Sequence, residues 1–115
     1  MNAADIEKYC MSLKGTTTDV KWGNDLCYLI GEKMYCVHSL KGALNTSFKC
    51  TPENFGELTD RNGIIPAPYV AKYHWVRIEE PKALSVKEYK QFIKESYEMV
   101  LEKLPAKLKK QALGR

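Results

Sequence analysis

The 115 residues are 44% hydrophobic and 28% charged, proportions of a single globular domain able to bury one core without metal or disulfide staples. No apolar run approaches the roughly 18 residues of a membrane span, and the start, Met1 to Lys8, lacks the basic-then-apolar pattern of a secretory signal, so a soluble, cytoplasmic protein is expected. The net charge of +4 is unevenly placed: Lys103, Lys107, Lys109, Lys110 and Arg115 fall in a stretch without acids, and the remainder has 13 basic against 14 acidic residues. The reading is a near-neutral domain over 1–104 and a basic extension over 105–115, free to meet phosphate, an acidic partner or only water.

A first helix is predicted from Ala3 to Lys14, with Asn2 as cap, Asp5 near the positive end of the dipole and Gly15 as a left-handed stop. Four runs rich in β-branched and aromatic residues follow: Thr16 to Trp22, Leu26 to Ile30, Met34 to Ser39 and Leu44 to Cys50. Turns at Gly23-Asn24-Asp25, Gly31-Glu32-Lys33 and Lys41-Gly42 make them an antiparallel meander. In the fourth run Leu44, Thr46, Phe48 and Cys50 alternate with Asn45, Ser47 and Lys49, the pattern of a sheet covered on one side. Thr51 and Pro52 open a short second helix that closes near Asn62-Gly63.

Ile64 to Tyr69, interrupted by Pro66 and Pro68, is expected to be an ordered loop. A last strand, Tyr73 to Glu79, sends His74, Val76 and Ile78 to the core and Tyr73, Trp75 and Arg77 to the other face. Ser85-x-x-Glu88 is a capping box, with Leu84 and Tyr89 as staple, for a long helix ended by Pro105. Its Tyr89, Phe92, Ile93, Ser96, Tyr97, Val100 and Leu104 recur at helical spacing, and a loose basic turn or two follows. The fold class is α+β: a two-layer sandwich with N- and C-terminal helices on one face of an antiparallel sheet of about five strands.

Lys49-Cys50-Thr51-Pro52-Glu53, the segment Ile65-Pro66-Ala67-x-Tyr69-x-x-Lys72-x-x-Trp75-Val76, Ser96-Tyr97 and Lys103-Leu104-Pro105 resemble the MmcQ/YjbR-like family of small bacterial proteins. Trp22 and Lys33-Met34-Tyr35 match its pattern too. The resemblance implies a frataxin-type, CyaY-like α-β sandwich, and DNA binding through a "double wing" arrangement of the sheet. Frataxin-like proteins hold iron on an acidic ridge. Here Asp5, Glu7, Asp19 and Asp25 alternate with Lys8, Lys14 and Lys21, too sparse for oxygen-rich coordination, so no metal or other cofactor is expected.

Tyr73, Trp75 and Arg77, with Lys49 near them, interleave rings and cations on the open face, a surface suited to stacking on bases and meeting phosphate. The bland alternative has Trp75 covering the sheet edge under the Pro66–Pro68 loop, with Lys72 merely solvated. Tyr69 and Lys72 stand at the mouth of a cleft between that loop and the last strand, a hydroxyl and a point charge for an anion. Lys107, Lys109 and Lys110 add phosphate contacts from the extension. The expectation is a monomer that binds DNA; a protein-interaction or small-ligand module using the same cleft is the alternative. Cys10, Cys27, Cys36 and Cys50 lie singly and read as reduced, half-buried thiols, and His38 and His74 have no nucleophile beside them, with His74 on the apolar face. No enzyme is expected.

Overall fold

Asn2 accepts from the Asp5 N–H and Asp5 accepts from the Asn2 N–H, so α1 (Ala3–Ser12) opens on a reciprocal cap in the computed structural model, which describes residues 1–114. Arg115, part of the basic stretch, lies outside the described residues. Gly15, at φ 79°, turns the chain into the sheet. There β1 (Thr17–Lys21), β2 (Asp25–Ile30), β3 (Lys33–Ser39) and β4 (Thr46–Lys49) form the expected antiparallel meander. α2 (Pro52–Thr59), capped by Thr51 with Pro52 in its first turn, leads to β5 (Ile64–Pro66), β6 (Trp75–Ile78), α3 (Val86–Glu102) and α4 (Ala106–Leu113). The sheet has six strands in the order β1-β2-β3-β4-β6-β5, antiparallel at every pairing.

Two sequence expectations are corrected at the β5–β6 hairpin. Ile64–Pro66 is a strand, with Ile64 opposite Ile78 and Pro66 opposite Val76. It occupies the sheet edge, where a proline's missing N–H leaves no partner unpaired. Tyr73 and His74 precede β6: Tyr73 closes a 3-10 turn over Ala71–Tyr73, and His74, at φ 66°, reverses the chain into Trp75. The His74 ring faces the helical side, edge-on to Phe55 of α2 with centroids 5.5 Å apart, but it is half-buried, beside the core.

Val76, Ile78, Phe48, Tyr28 and Ile30 meet Ile6, Tyr89, Phe92 and Ile93 in the single core between sheet and helices. Phe48 stacks on Phe92 at 6.2 Å, and Tyr35 meets Tyr97 edge-on at 5.4 Å. Ser96 of α3 enters the sheet itself. Pairing of β3 with β4 stops at Cys36 and Phe48, and beyond it the Ser96 Oγ accepts from the Lys49 N–H at 3.0 Å and donates to the Tyr35 carbonyl at 2.6 Å. A hydroxyl thus replaces the next rung of the ladder. The segment after Pro105 is a packed helix rather than a loose turn, with Ala112 buried and its carbonyl lying where a Cβ on Gly15 would sit. No helix among the described residues is long and apolar enough to cross a membrane.

Candidate functional site on the uncovered sheet face

The helices pack on one face of the sheet; a groove of about 440 Å³ runs over the other. Its floor is built at alternate strand positions, Val37 of β3, Ser47 of β4 and Arg77 of β6, where Ser47 and Arg77 are register partners. One wall is Trp22, at the tip of the β1–β2 turn; the other is the loop Ala67 to Val70, which carries Tyr69. Both rings stand away from the protein, Tyr69 98% and Trp22 71% exposed. Both also sit on left-handed backbone, at φ 69° and φ 55°, a conformation that costs a non-glycine residue about 1–2 kcal/mol. At Trp22 this conformation, continued by Gly23 at φ 76°, closes the tight β1–β2 hairpin, and at both positions it leaves a large ring in water.

The Arg77 side chain makes no hydrogen bond or ion pair among the described residues, and its Nε is buried without a partner. A guanidinium so placed retains several N–H donors for an arriving carboxylate, phosphate or base edge. Asp25, at the start of β2, is the acid of the lining.

Of the residues singled out in the sequence, the fold brings Tyr69 and Arg77 together in this groove. Trp75 shares the Arg77 face by alternation but is only 7% exposed. Its carbonyl accepts from the Ala67 N–H at 2.9 Å, one more rung beyond the β5–β6 pairing. The outward indole expected from alternation is therefore covered, because a strand pattern gives the face but not what lies over it. Lys72 and Tyr73 are outside the lining; the Lys72 ammonium lies 5.2 Å from the centroid of the half-exposed Tyr73 ring. Lys49 points into a separate recess with Lys33 and Lys103. Lys107, Lys109 and Lys110 belong to α4, where Lys109 lies 3.7 Å from Glu102. Trp22 was not among the expected site residues. Its signal was an indole directly before Gly23-Asn24-Asp25, since a ring at a hairpin tip has no core to enter.

The thiols are withdrawn from the surface. All four cysteines are free and buried, deeper than the half-burial expected. Burial raises the Cys50 thiol to about 12, and a bond to Cys10 together with burial raises Cys36. The His38 Nδ1–H donates to the Ser39 carbonyl at 3.1 Å, and its Nε2 shares a hydrogen bond with the Tyr28 hydroxyl at 2.8 Å. The groove itself offers rings, a guanidinium, a carboxylate and the Ser47 hydroxyl.

The YjbR family model matches residues 11–99. A crystal structure of a Deinococcus radiodurans protein with a DUF419 domain is similar at a TM-score of 0.85 and 22% identity, over 98% of this chain and 88% of that one. A Pseudomonas syringae protein aligns at a TM-score of 0.72 and 23% identity, over 87% of this chain and 99% of that one. These likenesses establish a shared fold. No curated protein matches the chain.

Proposed function

The chain belongs to the YjbR family, and from that premise we propose that it is a non-catalytic module that binds nucleic acid, single-stranded DNA or RNA, along the uncovered face of its sheet. The observation that carries this reading is the pairing of two strained, solvent-held rings, Trp22 and Tyr69, across a groove whose floor presents the unpartnered Arg77 guanidinium. Unstacked bases bind by stacking on exposed rings, which every base permits, while a guanidinium meets phosphate or a base edge. A duplex keeps its bases stacked and offers such rings nothing, so the single strand is the preferred form. Lys72 sits in the 3-10 turn beyond Tyr69 and supplies a further positive charge near the strand's path. Lys107 and Lys110 add sequence-independent attraction from α4.

Fluorescence anisotropy with a labelled octanucleotide tests the reading. Tyr69→Ala and Trp22→Ala should each weaken binding by about 1–3 kcal/mol, the usual worth of a base-ring stack. Lys72→Ala should flatten the dependence on salt by roughly 0.7 in log–log slope, one phosphate of a single strand. Equal affinity for the wild type and both ring variants removes the groove from the account. A groove of about 440 Å³ is also the size of a single nucleoside. Competition by mononucleotides as strong as by the octamer therefore identifies a small-ligand module in the same place.

A further inference from the structure

We propose that Lys33, Lys49 and Lys103 form a binding site for a phosphate dianion, distinct from the groove and independent of its reading as a nucleic-acid surface. The three lysines line a second recess of about 250 Å³, whose other walls are Met34, Val100, Leu104 and Pro105. It holds three cations and no acid. Lys33 opens β3, Lys49 closes β4 and Lys103 caps α3, so three elements converge to place like charges side by side.

The convergence is built in. Ser96 pins the Lys49 backbone N–H at 3.0 Å in the gap between β3 and β4. At the other side, a Cβ on Gly31 would stand 2.4 Å from the Leu104 Cδ1, so the glycine two residues before Lys33 is what lets Leu104, just past the end of α3, come so close to the β2–β3 turn. Lys49 and Lys103 feel each other: burial first, then the neighbouring Lys103 ammonium, lowers the pKa of Lys49.

Countercharge is missing within the fold. Among the described residues none of the three ammonium groups pairs with a carboxylate, and Lys49 and Lys103 lie within hydrogen-bonding reach of each other. Glu102, next to Lys103 in sequence, lies with Lys109. The carbonyl end of α3 attracts cations, but Val100 and Leu101 already accept from the Lys103 and Leu104 backbone N–H groups. Three clustered ammonium groups repel one another, and an anion with two charges and several acceptor oxygens relieves that repulsion better than a singly charged diester. The occupant is a phosphate dianion, either free or at the end of a larger molecule.

Amide and lysine-ammonium NMR shifts of the full chain during titration with inorganic phosphate, at fixed ionic strength against chloride, test this site. Expected are saturable shifts at Lys33, Lys49, Lys103 and Leu104, weakened roughly tenfold by Lys49→Gln or Lys103→Gln, as for loss of one charge-assisted bond. Tyr69→Ala should leave them unchanged, so this site stands or falls apart from the groove. Displacement of phosphate by a 5′-phosphorylated dinucleotide, and not by the unphosphorylated one, identifies a terminal phosphate as occupant; no displacement by either identifies the free ion. Linear shifts shared with chloride, equal binding by both Gln variants, or an unphosphorylated dinucleotide that competes equally overturn the proposal.

Discussion

Trp22 and Trp75 carry the same side chain into opposite surroundings, and the contrast is the most direct residue-scale test of the fold. Trp22 is carried outward by a three-residue turn between Lys21 and Asp25, which are register partners, and its ring is 71% exposed. Trp75, at the first position of β6, is buried, only 7% exposed. Iodide should therefore quench tryptophan emission in two populations. Trp22→Phe should leave only a blue-shifted emission that iodide barely reaches; a single quenchable population in that variant would contradict the placement of Trp75. Alternation along Tyr73 to Glu79 correctly placed Val76 and Ile78 in the core and Arg77 on the other face. It failed at Tyr73 and His74, because the strand begins two residues later and the left-handed His74 breaks the period. No pattern in the sequence announces a turn that is closed by tertiary packing.

Among the elements, α3 was the most legible. Its reciprocal cap is present, with the Glu88 N–H donating to the Ser85 hydroxyl at 3.1 Å and the Ser85 N–H to Glu88 at 3.0 Å. The apolar positions read at helical spacing form its buried face. What periodicity could not reveal is the role of Ser96. Its place on that face was readable, but its use as a rung between β3 and β4 depends on where two distant strands part. Ser96→Ala would leave the Lys49 N–H and the Tyr35 carbonyl without their partner and should cost roughly 1–3 kcal/mol in urea unfolding. Ser96→Thr, which keeps the hydroxyl, should recover part of it. A loss below about 0.5 kcal/mol, the lower end for a net hydrogen bond, would show that the strands close without the side chain. Strand β5 was missed for a related reason: Pro66 within it and Pro68 just after it argue for a loop, and only the knowledge that it lies at an edge makes Pro66 compatible with pairing.

At the scale of the whole molecule, the meander, the helices on one face and the uncovered opposite face were readable from alternation, turn residues and caps. The strand order was not, because the connection that puts β6 between β4 and β5 runs through α2, and nothing in that helix's cap or spacing says how far across the sheet it carries the chain. Charge behaves in the same way. Counting along the chain assigned basicity to the C-terminal extension, but folding brings Lys33 and Lys49 from the body against Lys103 and packs α4 back through Ala112. The molecule thus presents two separate surfaces, a ringed groove and a lysine recess, with Met34 on the border of both. The central claim is that the groove is the binding face. An amide-shift titration of labelled protein with a short single strand tests it most directly. The account predicts saturable shifts at Trp22, Tyr69 and Arg77; shifts confined to α4, from Lys107 to Lys110, or none at all, would contradict it.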